Sequence, residues 1–292
     1  MNAPPGKKNI SLMFDCHIHL RQKEDKRKEL ASRLNSVGME GGIIISHGPK
    51  SFNKKSGFLR TNERLKRLLF WTQDNPDFFP FYWIDPLEKD ALDQVDEAVK
   101  QGVLGFKMLA SNYYVRDPKP FKVIKKIAKK GKPILFHSGI LWDTYDSARF
   151  NRPGEFEALI NVENIRFALA HISWPWYDEC IAVFGKFLAS NNTVEMFIET
   201  TPGTPVIYRK EALTRLMTVG YPVERNIFFG SDCGAENYNC DWTREWIHRD
   251  REIMSGLGVS EENIRYYQGE NLKRFVGVSE EKVLLRRLKP GE

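Results

Sequence analysis

Apolar residues in this chain follow two alternating patterns. Short runs rich in β-branched and aromatic side chains occur at 11–16 (SLMFDC), 42–46 (GIIIS), 79–84 (FPFYWI), 103–108 (VLGFKM), 133–136 (PILF), 165–170 (IRFALA), 194–198 (VEMFI) and 227–230 (IFFG). Each has the length of a strand. Between them, apolar residues recur at three- and four-residue steps, as in Leu92, Val95, Ala98 and Val99, which is the spacing of one helix face. The pattern predicts helices at 23–37, 62–72, 88–100, 120–130, 155–160, 177–190 and 210–219, with two more, 243–257 and 261–276, after the last run. Gly38, Pro76, Gly102, Gly131, Pro133 and Gly220 mark the exits.

Eight strand–helix repeats without a break in composition predict an α/β fold, a single (β/α)8 TIM barrel spanning 1–292 with tails at 1–10 and 277–292. A doubly wound open sheet is the alternative, but no G-x-G-x-x-G loop follows the first run. Either architecture places functional residues at the C-terminal ends of the strands.

With 41% hydrophobic and 12% aromatic residues, the chain has the material for a large core and is neither low-complexity nor disordered. No stretch approaches the ~18 apolar residues that span a bilayer. The N-terminal MNAPPGKKNI has lysines without an apolar segment behind them, so no secretory signal and no membrane partner are expected, and a cytoplasmic location is. The net charge of +6 hints at acidic partners, yet the basic residues are interleaved with acids. The densest basic patch, 125–132, reads as the outside of a helix that turns Val123, Ile124, Ile127 and Ala128 inward, so nucleic acid is not an expected partner. Cys16, Cys180, Cys233 and Cys240 include no C-x-x-C pair and read as free thiols, Cys16 and Cys233 as small apolar filler.

Five of the six histidines stand at or just after the end of a predicted strand, where the barrel would carry its chemistry. His17 and His19 are i and i+2, so in a strand they share a face and can converge on one ion at the barrel mouth. Lys107 ends the fourth run, His137 the fifth, His171 the sixth and Asp232 the eighth. A lone histidine at a strand end is more often a hydrogen-bonded core residue. Four of them with an aspartate on one face point to a metal site.

This pattern resembles the amidohydrolase superfamily of metal-dependent barrels, over about 14–275. The words GFKML, AHIS, FFGSD and GENLKRF resemble its amidohydrolase-2 branch, which holds lactonases, other hydrolases and decarboxylases related to aminocarboxymuconate-semialdehyde decarboxylase. HIHLR and KML are also similar to dihydroorotases. The resemblance implies a divalent metal, zinc first and manganese or iron as alternatives, held by His17, His19, His137 and Asp232. Imidazole and carboxylate suit these ions. One ion is favoured. Two are implied if Lys107 is carboxylated, with His137 and His171 holding the second; otherwise Lys107 is a buried ammonium paired with Asp232 or with a substrate carboxylate. A DNase-type barrel, with glutamate at that place, is disfavoured by the lysine.

The implied reaction is hydrolysis of an amide, cyclic amide or lactone by a metal-bound water, with catalytic roles for Asp232 as proton shuttle and for His171 or Lys107 at the oxyanion. The alternative is a metal-dependent decarboxylase of an unsaturated or aromatic carboxylate. A barrel that binds without turnover is disfavoured by so complete a ligand set. Arg21 has the parity of His17 and His19 and either forks onto a substrate carboxylate or pairs with Glu24 or Asp25. Glu199, ending the seventh run, either orients a ligand or caps its loop. His47 is expected to bond within its loop, and His248, in a helix, to be unrelated. The loops after runs 2, 5, 7 and 8 carry Phe52, Phe58, Trp142, Tyr145, Phe150, Tyr208, Tyr238 and Trp242, and Trp174 and Trp176 follow His171. Together they either wall a pocket for a cyclic or carboxylate-bearing small molecule, with Trp142 and Trp174 as substrate-binding candidates, or pack on helix ends or in a homo-oligomer interface.

Overall fold

The expected runs all form strands in the computed structural model, which describes residues 13–22, 25–52, 59–143, 145–190 and 193–278. They are β1 (Met13–His19), β2 (Met39–Ile45), β3 (Phe78–Trp83), β4 (Gly105–Met108), β5 (Ile134–Phe136), β6 (Arg166–Leu169) and β7 (Glu195–Glu199). The eighth run forms β8 (Ile227–Phe228), and a further short strand, β9 (Cys233–Gly234), follows it. All are parallel in one nine-stranded sheet of order β8-β7-β6-β5-β4-β3-β2-β1-β9. The sheet curls until its ends meet: β9 pairs with β1 at Ile18–Cys233, and the Cys16 N–H donates to the Phe229 carbonyl at 3.0 Å. Closure removes the open edges that a parallel sheet would otherwise present.

Helices α1 (Arg27–Ser36), α2 (Thr61–Thr72), α3 (Ala91–Lys100), α4 (Pro118–Lys129), α5 (Tyr177–Ala189), α6 (Val206–Thr218) and α7 (Cys240–Gly256) pack outside. Helix α4 buries Val123, Ile124, Ile127 and Ala128, the face its spacing predicted. The segment between β5 and β6 is a 3-10 helix, Pro153–Asn161, rather than an α-helix. The last expected helix is three pieces: α8 (Glu261–Arg265), a π-turn at Tyr266–Glu270 and α9 (Asn271–Val276). Ser260 caps α8 by accepting from the Asn263 N–H, as Asn239 caps α7 through Trp242.

The barrel interior is filled by Phe14, Ile43, Phe79, Phe81, Leu135 and Phe197, among others. Phe275 of α9 plugs its lower end, with ring centroids 6.1, 5.2 and 5.1 Å from Phe81, Phe197 and Phe228. The GENLKRF word thus serves the floor of the barrel rather than its mouth. Val278 is buried in the same cluster, so the chain is still part of the core where the C-terminal tail was expected to begin. The expected N-terminal tail, residues 279–292 and Phe58 lie outside the described residues. Among the described residues no helix is long and apolar enough to cross a membrane.

Candidate metal centre

Strand β1 continues through His19, so both histidines project from the strand itself onto one face. Their Nε2 atoms lie 3.0 Å apart, and Asp232 Oδ1 is 3.3 Å from His19 Nε2 and 4.0 Å from His17 Nε2. One ligand atom from each residue falls within 4.8 Å of the other two. On its far side His17 Nδ1 meets Glu199 Oε2 at 3.2 Å. A carboxylate there accepts a hydrogen bond from Nδ1–H, which keeps the proton on Nδ1 and leaves the Nε2 lone pair aimed at the cluster, the usual arrangement behind a metal-bound histidine. Glu199 is fully buried and multiply anchored: it accepts from the Thr201 N–H at 2.8 Å, the Cys16 thiol at 3.4 Å, the His171 N–H at 3.3 Å and the Thr201 hydroxyl.

Burial, followed by the field of Lys107, drives the His17 imidazole well below its ordinary pKa; burial also lowers His19. Burial works to raise the Asp232 carboxyl, but the His19 hydrogen bond and the fields of His17, His19 and His171 outweigh it and hold it well below the carboxylate range. Two neutral imidazoles and one carboxylate are the protonation states a divalent cation requires.

Lys107, His137 and His171 form the other side of the centre. Rings of His137 and His171 are 5.0 Å apart at their centroids, and His171 is 5.4 Å from His17. Lys107 Nζ, His137 Nε2 and His171 Nδ1 are buried and have no hydrogen-bond partner among the described residues. Burial lowers the Lys107 ammonium to about 8 and the His171 imidazole to about 4, and takes His137 well below its usual value. His137 stands with this trio. It is not one of the three residues whose ligand atoms cluster within 4.8 Å, which departs from the four-ligand set expected from the sequence. The reason is local: His137 follows β5 and His171 follows β6, and those strands are neighbours in the sheet.

Strained backbone holds the mouth in place. Asp232 sits between β8 and β9 at φ 59°, and His171, Ile172 and Ser173 have φ of 63°, 48° and 55°. Non-glycine residues in this region cost roughly 1–3 kcal/mol each and persist where surrounding contacts fix them. At the β1–β9 seam, buried Asp15 accepts from the His17 and Ser231 N–H groups at 2.9 and 3.0 Å and from the Tyr238 hydroxyl at 2.8 Å. This joint holds the Asp232 turn against the histidine strand. Glycine is required at two nearby positions: a Cβ on Gly230 would lie 2.7 Å from Glu199 Oε1, and one on Gly203 would lie 2.6 Å from His171 Cβ.

The two half-sites open into a cavity of about 520 Å³ lined by His17, His19, Arg21, Lys107, His137, His171 and Asp232, and by Trp142 and Trp174. Glu199 lies behind His17 rather than in the lining. Arg21 lines the cavity, and its Nη2 donates to the Asp232 carbonyl at 2.9 Å and to Asp232 Oδ1 at 3.2 Å. That pairing replaces the expected contact with Asp25, which bonds Arg27 instead; Glu24 is outside the described residues. His47 accepts from Arg67 Nε at 3.0 Å, and His248 is exposed on α7. The loop aromatics divide: Phe52, Trp142 and Trp174 line the cavity, Tyr208 stacks on Trp174, and Phe150 and Tyr238 are core. Asp15, Thr201 and Tyr238 were missed as supports; only the position of Asp15 two residues before His17 signalled it.

No protein-family model matches this sequence, and no curated protein matches it. Solved structures do resemble it. An amidohydrolase of Burkholderia multivorans with bound zinc superposes with a TM-score of 0.66 at 11% identity, over 92% of this chain and 100% of that one. A probable 2-pyrone-4,6-dicarboxylic acid hydrolase of Acinetobacter baumannii, with citric acid bound, gives 0.61 at 13% identity over 91% and 99%. A TIM-barrel protein of Bordetella bronchiseptica gives 0.66 at 13% over 91% and 98%. The neighbours include amidohydrolase-family barrels, which bears out the resemblance at the level of fold.

Proposed function

We propose that this protein is a metal-dependent hydrolase of the amidohydrolase superfamily that opens an amide, cyclic amide or lactone. The observation that carries the reading is the convergence of His17 Nε2, His19 Nε2 and Asp232 Oδ1 in the cavity. The hydrolase names of the structural neighbours, one of them zinc-bound, support it. His17, His19 and Asp232 would hold one divalent cation, zinc first, which when bound polarises a carbonyl and acidifies water.

The chain's own residues supply the rest. Glu199 fixes the tautomer and orientation of His17. Asp232 is ionised and accepts the proton of the attacking water at its carboxylate, while Arg21 holds that carboxylate from the solvent side. His171, neutral above about pH 4, and Lys107 line the cavity, where their side chains would meet a carbonyl oxygen gaining charge. A substrate covering the aromatic rim would keep bulk water off the reacting group and so strengthen these contacts.

The orphaned trio of Lys107, His137 and His171 favours two variants of this reading. Carboxylated Lys107 would join the two histidines as a second cation site; an ammonium there would instead hold a substrate carboxylate and serve decarboxylation. Elemental analysis of freshly purified protein, with a panel of lactones, cyclic amides and unsaturated carboxylates, tests all three. One equivalent of metal and chelator-sensitive ring opening is the expected result. Two equivalents move Lys107 into the ligand set, carbon dioxide release replaces hydrolysis by decarboxylation, and an absence of metal under all loading conditions overturns the proposal.

A further inference from the structure

The cavity has two chemistries at two depths. Its floor is imidazole, ammonium and carboxylate. Its upper wall is apolar: Phe52, Trp83, Leu109, Ile140, Trp142 and Trp174. The aromatic part is continuous with the floor, because Trp83 lies 5.5 Å from the His19 ring and 4.8 Å from Phe52. Across the mouth Trp174 is braced by Tyr208 at 5.1 Å and 24° and by Tyr177 at 6.0 Å and 14°. Rings stacked in this way are held against collapse into the cavity.

Trp142 stands out on this wall. It lines the cavity yet is 85% exposed, and it has no ring contact or hydrogen bond among the described residues. An indole held in water at the rim of a pocket gains from being covered, at about 25 cal/mol per Å² removed from water. A volume of about 520 Å³ also lies in the range that encloses ligands much larger than one small ring. A compact cyclic amide or lactone seated on the floor would leave the aromatic half wet.

We infer that the substrate is amphipathic, a hydrolysable carbonyl head on the histidine floor joined to a flat apolar group, aryl or fused-ring in size, that lies against Trp83 and Phe52 and is covered by Trp142. This deepens the reading under Proposed function and rests on it for the identity of the head.

Two hydroxamates test it, acetohydroxamate and 2-naphthohydroxamate, titrated by tryptophan fluorescence and calorimetry against the full chain with and without added zinc. The aryl-to-methyl affinity ratio reports the apolar subsite, and the zinc dependence of either ligand reports the cation site. The expected result is a ratio of tenfold or more that falls to threefold or less in Trp142→Ala and Phe52→Ala, with acetohydroxamate affinity unchanged. A ratio near one in the native protein overturns the inference and leaves the hydrolase reading standing if binding needs zinc. A high ratio without zinc dependence upholds the subsite and removes the cation site. A ratio that neither variant changes, or no binding in any condition, overturns the inference. So does sedimentation showing that Trp142 is buried between two copies of the chain with the naphthyl ligand excluded.

Discussion

The two halves of the centre are built differently. On the β1 side, His17 and His19 are tied to Glu199, to Asp232 and to each other, and Arg21 closes over the carboxylate. On the β4–β6 side, Lys107, His137 and His171 each present a buried polar atom with no partner among the described residues. Buried polar groups are normally satisfied, and leaving one unsatisfied costs about 1–3 kcal/mol. The first half is therefore preorganised by its own contacts. The second half keeps its bonding capacity for something that enters the cavity.

The sharpest way to break the first half is His17→Ala. It removes a ligand and the Glu199 contact together, so metal affinity should fall by more than the roughly 10–100-fold seen when only an outer partner is lost. Zinc competition titration reads it, and unchanged affinity would show that the cation sits elsewhere.

Acid should act on both halves through their buried imidazoles. His171 titrates near 4 when folded and near 6.5 when unfolded, so below pH 6.5 the unfolded chain binds the extra proton. Its contribution is whole above pH 6.5 and is lost as pH falls through 4. At ~1.4 kcal/mol per unit this amounts to about 3 kcal/mol for His171 alone. Urea denaturation of metal-free protein across pH 4–7 measures the slope, and a slope that persists undiminished in His171→Asn would assign it to other groups.

Glu199→Gln keeps the shape of the side chain but loses the charge behind His17. Metal affinity should drop roughly 10–100-fold. The fold should survive, as near-ultraviolet circular dichroism would show. An effect on stability without one on metal affinity would make Glu199 a mere loop cap.

The mildest change sharpens the contrast from the other side. Lys107→Met removes an orphaned buried ammonium, so metal-free protein should gain about 1–3 kcal/mol of stability while turnover is lost. Thermal unfolding with activity on the same sample checks both. A loss of stability would mean that Lys107 has a partner in the folded protein.

Much of this was legible in the sequence. The strand runs, their helical spacers and the polar residues that end the runs depend on local periodicity, and local periodicity survives into the fold because each segment must bury its own apolar face. H-x-H at 17–19 defined a shared face by the period-two geometry of a strand alone. The extra strand β9 directly after Asp232, the π-turn in the last helix and the pairing of Arg21 with Asp232 were not legible.

What the sequence alone determined is the set of groups at the mouth, because a side chain's place along a strand sets its depth in a barrel. What only the tertiary structure decided is the partnership among those groups. Glu199 reaches His17 across 182 residues and Tyr238 reaches Asp15 across 223, and such pairs form only when the sheet closes and brings β7 and the β9 turn against β1. His137 joins His171 rather than His19 for the same reason: neighbours in the sheet, not order in the chain, determine which atoms can share a ligand.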